Sequence, residues 1–356
     1  MVLTWEPTSA SLKMKRNSVL LFLIFFFVIL ESPAQEKLSY SVLFYNTENL
    51  FDWENDPTIN DDEFTPEGDR HWTYKRFQQK ISNVSKAIIA ASGWNLPAVI
   101  GLCEVENRFV LEQMISKTAL KAHPFQIIHK ESPDPRGIDV AMLYNPEVFE
   151  PILYEYLPLL NDNGAVRRTR EILYVKGQMK TSLDTLHFFF NHWPSRYSGL
   201  LETTEWRTKA AEMLKQKTDS LFQLNTSSKI IVMGDFNDQP IDNSIREMLQ
   251  ALPLEGEVQP GKLYNLAYNW GGEGEGSMKY QSQWFVFDQA IVSSTLLDPA
   301  LNSGAKITDA KIIRNSFLLE ADERYGGQRP FRAYYGFDYQ NGFSDHLPVK
   351  LTLEVR

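Results

Sequence analysis

The chain has 356 residues, a formal net charge of −9 and a single cysteine, Cys103. That charge excludes a protein that gathers polyanions through its overall field, so a phosphate-bearing substrate has to be drawn in by local arginines and a metal ion. The lone cysteine excludes an internal disulfide, leaving an apolar core to hold the fold.

In chain order, Val19 to Leu30 is an unbroken apolar run of 12 residues preceded by Lys13, Lys15 and Arg16. It is short for a bilayer span and has the form of a signal peptide. Ser32-Pro33-Ala34 offers small residues for cleavage after Ala34. Residues 1–34 are therefore expected to be a leader, with Met14 as an alternative start, and 35–356 a single exported domain, periplasmic or extracellular. A retained anchor is the competing reading, but nothing after Leu30 prolongs the apolar run. The spacing then predicts a strand over Leu38–Asn46, a loop over residues 52–73, and an amphipathic helix over Tyr74–Ala91 with Phe77, Ile81, Val84 and Ile88 on one face. Pro97–Cys103 reads as a strand buried on both faces that delivers Glu104, and Asn107–Leu120 as a second helix. Strands follow at Phe125–His129, Ile138–Tyr144, Pro151–Tyr156, Ile172–Met179 and Leu186–Asn191, then a helix at Thr203–Leu224. Lys229–Met233 is a strand ending in Gly234-Asp235-Phe236-Asn237-Asp238. A short helix at Ile241–Leu249, a glycine-rich loop at Gly271–Gly276 and a strand at Trp284–Val292 come next. The last strand is Val349–Val355, entered through Gly342-Phe343-Ser344-Asp345-His346-Leu347-Pro348. Strands outnumber helices, which fits two mixed sheets packed together with helices on the outer faces (class α/β).

Polar residues collect at the strand ends: Asn46 and Glu48, Glu104, Asn191 and His192, Asp235 and Asn237, Asp288, Asp345 and His346. Carboxylates in such places are costly unless paired or metal-bound, and strand ends are where layered α/β folds bind ligands. The donors are oxygens and imidazoles without a thiolate cluster, which favours Mg²⁺ or Mn²⁺ over structural zinc.

Tyr45-Asn46-Thr47-Glu48-Asn49, Leu102-Cys103-Glu104-Val105-Glu106-Asn107, Asn191-His192-Trp193, Gly234-Asp235-Phe236-Asn237 and Ser344-Asp345-His346 recur in order in the endonuclease/exonuclease/phosphatase superfamily, which the chain resembles from about Ser39 to Val355. The resemblance implies a four-layered α/β/β/α sandwich and metal-assisted cleavage of phosphate esters. It implies Glu104 as principal metal ligand with Asn46, Glu48 and Asp345 nearby. Asp235 and Asn237 resemble the pair that orients water and holds a phosphate oxygen. His346, with Asp288 behind it, resembles the histidine on the scissile phosphate, His192 the second histidine, and Arg170 a phosphate contact. Arg136, Trp193, Arg196 and Tyr197 are further candidates for gripping phosphate or stacking on bases. The expected activity is that of a monomeric nuclease on DNA or RNA, without stable membrane insertion. A phosphatase or phosphodiesterase for a small molecule or phospholipid headgroup is the alternative, and a silent binding protein a third reading.

Overall fold

The computed structural model describes residues 1–6, 38–93, 97–196, 199–298 and 304–355. Met1–Glu36 and Lys37–Arg356 are separate units. Within the first, only residues 1–6 are described, exposed and without helix or strand. The expected leader otherwise lies outside the described residues, as does Tyr197.

The second unit begins with β1 (Leu38–Leu50), α1 (Tyr74–Ser92), β2 (Pro97–Val105), α2 (Arg108–Lys117), β3 (Gln126–Ile128), β4 (Asp139–Tyr144), β5 (Phe149–Leu157), β6 (Ile172–Met179) and β7 (Thr185–His192). It continues with α3 (Leu200–Leu224), β8 (Lys229–Asp235), β9 (Ala251–Pro253), β10 (Leu263–Asn265), β11 (Met278–Tyr280), β12 (Gln283–Phe285) and β13 (Asp288–Ser293). β14 (Lys306–Ile312), β15 (Leu319–Ala321), β16 (Gln328–Pro330), β17 (Tyr334–Tyr335), β18 (Asp338–Tyr339) and β19 (Val349–Val355) complete it. Six strands form one sheet in the order β14-β19-β1-β2-β4-β3, and seven form another in the order β5-β6-β7-β8-β13-β10-β9. Both are mixed: β1 runs parallel to β2 but antiparallel to β19, and β7 runs parallel to β8 while β8 is antiparallel to β13.

The alternation of side chains along a strand makes three cores from two sheets. Val42 and Phe44 of β1 face Phe188 and Phe190 of β7 and Met233 of β8 between the sheets. Leu43 and Tyr45 face outward onto α1, where Phe77, Ile81, Val84 and Ile88 lie. Phe189, Ile230 and Val232 face the other way, onto Ala210, Ala211 and Leu214 of α3. The result is the four-layered α/β/β/α sandwich. α1 starts where the Thr73 side chain accepts the Arg76 N–H and stops at Gly93, whose φ of 71° no β-branched residue would tolerate.

The expected strand Trp284–Val292 is corrected. Its first part, Gln283–Phe285, pairs with Met278–Tyr280 in a hairpin, and only from Asp288 does the chain join β8. The N–H groups of Phe287 and Asp288 donate to the Ser277 hydroxyl at that break, so local side-chain bonding overrides a continuous apolar pattern. The segment 241–249 holds one wide turn, Ser244–Met248, instead of a regular helix.

Gly101 of β2 faces the opposite sheet, where a Cβ would lie 2.1 Å from the Phe190 ring. Gly101→Ala is expected to lower stability by about 1–3 kcal/mol through overpacking, read as a fall in Tm. An unchanged Tm would contradict the contact.

Candidate active site

The two sheets present their polar strand ends to one another at one edge. β7 and β8 are parallel neighbours, and their register sets His192 beside Asp235. β13 is antiparallel to β8, and its first residue Asp288 pairs with Asp235. From the other sheet, β1 and β2 bring Asn46 beside Cys103, with register shifts just beyond that let Glu104 turn out of the ladder. The turn before β19 supplies Ser344 to His346, tied to β1 where the Ser344 hydroxyl donates to the Asn46 carbonyl at 2.7 Å.

Four non-glycine residues here hold left-handed backbone: Glu48 (φ 52°), Asn49 (φ 53°), Glu104 (φ 58°) and Asn237 (φ 51°). Each costs on the order of 1–2 kcal/mol. The conformations are held by side-chain bonds, since Glu48 N–H donates to Asn46 Oδ1 at 2.9 Å, Asn49 N–H to Glu104 Oε2 at 2.9 Å, and Asn237 N–H to Asp235 Oδ1 at 2.9 Å.

At the centre, Asn46 Nδ2 donates to Asp235 Oδ2 at 3.1 Å and lies 3.5 Å from Glu104 Oε1. His192 Nε2 stands 3.8 Å from both Glu104 Oε1 and Asp235 Oδ2, and His346 Nε2 stands 3.8 Å from Asp235 Oδ2. On its far side His346 Nδ1 is 2.6 Å from Asp288 Oδ2. The histidines differ sharply. Burial pushes His192 well below its ordinary value, and Arg170 and Arg136 add to that, so it is neutral. Burial opposes charge on His346 too, but Asp288 and Asp235 on its two nitrogens outweigh it and hold it well above the ordinary value, as imidazolium. Burial raises Asp235 to about 7, against the pull of His346.

Asp235, Asp288 and His346 offer three donor atoms within 4.8 Å of one another. They are already bonded among themselves and to Asn46 and Asn237. A hard cation is better served by Glu104. Its side chain is 15 % exposed, and Oε1 faces the cleft with a 3.5 Å approach from the Asn46 amide and a neutral imidazole beyond. The oxygen-rich donor set fits a divalent ion of the Mg²⁺ or Mn²⁺ kind.

Glu48 and Asp345, also expected to hold metal, are engaged otherwise. Glu48 Oε1 accepts from Arg332 at 3.1 Å and Oε2 from the Ala333 N–H at 2.8 Å, with Lys80 Nζ at 3.8 Å. Asp345 Oδ2 accepts from Arg332 at 3.0 Å. Sequence reasoning missed Arg332 and Lys80. Lys80 did leave a signal, since it falls on the apolar face of α1 between Phe77 and Val84, and it is 2 % exposed. Arg332 left none in its turn-rich stretch.

The expected substrate grips are mostly scaffold. Trp193 is 1 % exposed, its ring edge-on to Phe236 and its indole N–H donated to Asn191, so it has no face for a base. Its carbonyl accepts from both Arg170 Nη2 and Asn237 Nδ2. Arg170 is buried and bonded at 2.8 Å to Asp134. Arg196 spends its donors on the Asn237 carbonyl, Asp238 and Asp242. The motif Asn-His-Trp sits at a strand end, but the chain turns inward there and fills the space under α3. Among the described members of the set, Arg136, paired loosely with Asp134 at 3.7 Å, is the most open to solvent.

The chain belongs to the endonuclease/exonuclease/phosphatase family, which it matches over residues 41–355. Its enzymes are hydrolases of phosphate esters that depend on a divalent metal. No curated protein sequence matches. Among solved structures it is similar to a family member from Bacteroides thetaiotaomicron (14 % identity, 90 % of this chain and 99 % of that one, TM-score 0.56). It is also similar to the mannosyl-6-phosphatase of that organism (14 %, 88 % and 99 %, TM-score 0.54) and to TDP2 of D. rerio with a single-strand DNA product (14 %, 88 % and 98 %, TM-score 0.51). At such identities these likenesses speak to the fold.

Two outcomes check this geometry. Asp288→Asn should leave the protein folded, lower the pKa of His346 in an NMR titration, and reduce turnover about 100-fold or more, because the imidazolium loses its buried partner. An unmoved titration would contradict the pairing. Trp193→Ala should cost about 3–5 kcal/mol of stability and affect polymeric and small substrates alike. A stable variant impaired on nucleic acid alone would restore the stacking role.

Proposed function

We propose that the protein, after export, is a divalent-metal-dependent phosphodiesterase, with nucleic acid as its substrate class. The observation that carries the reading is the split of the two histidines around Asp235, one neutral and one held as imidazolium. A phosphoryl group entering between them meets a charged donor, His346, and a carboxylate near neutrality, Asp235. With a pKa of about 7, Asp235 is suited to orient a water and take its proton as the water attacks phosphorus. His346 donates to a phosphoryl oxygen as negative charge grows there, with Asp288 keeping it charged. Asn46 fixes Asp235 from the opposite sheet, and Asn237 is fixed by the Trp193 carbonyl. A divalent ion at Glu104 would supply Lewis-acid stabilisation of the phosphoryl oxygens. Arg136 and Arg332 are partly exposed cations that would support a polyanionic substrate.

A second reading, a small phosphoester, is favoured by one observation. The clefts beside the site are compact, about 170 Å³ each. One is lined by Tyr280, Tyr325, Tyr335, Arg329 and Asp345, and the other by Phe64, Arg70, Trp72 and Tyr334. The mannosyl-6-phosphatase neighbour supports that class. Export rests on the apolar run and small residues before Ala34.

The deciding experiment compares DNA, RNA, an aryl phosphodiester and a hexose phosphate, with and without chelator and with Glu104→Gln alongside. The expected result is a chelator-sensitive activity that Glu104→Gln lowers by about 100-fold or more, highest on nucleic acid. Rapid hydrolysis of the hexose phosphate with DNA and RNA intact would select the second reading. Full activity after exhaustive chelation would exclude metal-dependent catalysis.

A further inference from the structure

Five carboxylates meet at the site: Glu48, Glu104, Asp235, Asp288 and Asp345. Glu48, Asp235 and Asp288 are at most 4 % exposed. Carboxylates cannot be buried together without compensating charge. Three basic side chains lie among them. His346 stands between Asp288 and Asp235. Lys80, itself 2 % exposed, lies 3.8 Å from Glu48 and donates to the Phe343 carbonyl at 2.6 Å. Arg332 bridges Glu48 and Asp345 at 3.1 and 3.0 Å. The acids outnumber the basic groups, which leaves a place for a divalent ion among them.

The placement of the cations says where that ion goes. Glu48 and Asp345 are the two acids joined by a guanidinium, and Glu48 has its second oxygen on the Ala333 N–H. Among the described residues, Glu104 has no guanidinium or ammonium bonded to it; its Oε2 takes the Asn49 N–H, and Oε1 has a long approach from the Asn46 amide and the His192 ring. We infer that Arg332 is a built-in counter-cation holding Glu48 and Asp345 in the position of a second metal ion, so that the site takes a single divalent ion, at Glu104. The inference rests on the metal-dependent reading above and goes beyond it by fixing the number of ions and assigning Arg332, which the family motifs do not include.

The bridge also suits the substrate. The Arg332 side chain is 33 % exposed and lines both compact clefts beside the site. A phosphate oxygen arriving through either cleft meets its planar fork. With an ion at Glu104, Arg332 would supply the second positive charge for such a phosphate. Arg332 follows β16 in a segment fastened to the site at several points: Lys80 and Asn83 of α1 reach the carbonyls of Phe343 and Gly342, and the Phe343 N–H donates to Phe331 O at 2.6 Å. The guanidinium is thus carried on a braced segment.

The test counts metal ions on the whole protein, with Mn²⁺ as the probe, free ion read by electron paramagnetic resonance and heat by calorimetry. Native protein is expected to bind one Mn²⁺, and Glu104→Gln to lose that ion. Arg332→Met frees two facing carboxylates and is expected to bind two, while Arg332→Lys, which keeps the charge, returns the count to one. Melting curves establish that each variant is folded. Two ions on native protein would overturn the inference, as would one ion on a folded Arg332→Met. Should Arg332→Met fail to fold, the native count and Arg332→Lys still decide. Native protein that binds no Mn²⁺ would overturn the metal-dependent reading itself, a result distinct from a count of two.

Discussion

The structure depends on keeping negative charge buried where two sheets converge. Ionised carboxylates leave water only when something of opposite sign replaces the water. Here the replacement is divided among His346, Lys80 and Arg332, and on the reading proposed above a divalent ion completes it. Burial raises Asp235 to about 7 and also raises Glu48, while Arg332 holds Asp345 below the usual range against its own burial. The charge pattern that makes the site chemically useful is thus set before any substrate arrives, which is how preorganised electrostatic stabilisation works.

The sandwich exists in part to carry this arrangement. Two mixed sheets, each with parallel and antiparallel neighbours, place strand ends of both kinds at one edge. β7 and β8 arrive at their C-terminal ends and β13 departs at its N-terminal end, and the ladder fixes His192, Asp235 and Asp288 as immediate neighbours. The opposing sheet contributes residues that have left regular geometry. Glu104 and Glu48 are both left-handed, next to register shifts. That strain is sustained by the core between the sheets, which is closely enough packed that Gly101 leaves no space for a methyl group.

Much of this was legible in the sequence, because strands announce themselves by period and length. Ile172–Met179 and Val349–Val355 fall where the pattern placed them, and the ends of the first three long elements agree within a few residues. The motifs marked the acids and histidines that the strand ends bring together, because polar residues directly after apolar strands are conspicuous. What the sequence hid was direction. Trp193 follows His192, and nothing in Asn191-His192-Trp193 says that the indole turns inward while the imidazole faces the cleft. Arg170 and Arg196 looked like phosphate grips because arginine is usually exposed, but their partners, Asp134 and Asp238, lie 36 and 42 residues away. Arg332 was invisible for the same reason, being 284 residues from Glu48. The hairpins between β12 and β19 carry it, and their short, irregular strands have too little periodicity to read.

The chain is therefore a phosphate-ester hydrolase of the endonuclease/exonuclease/phosphatase family, and the inference drawn above has metal and arginine share the task of neutralising its acids. The most direct test is a crystal grown with Mn²⁺ and examined by anomalous scattering. The account predicts one peak, bonded to Glu104, with the Arg332 guanidinium still bridging Glu48 and Asp345. A peak lying between Glu48 and Asp345, with Arg332 swung away, would contradict it.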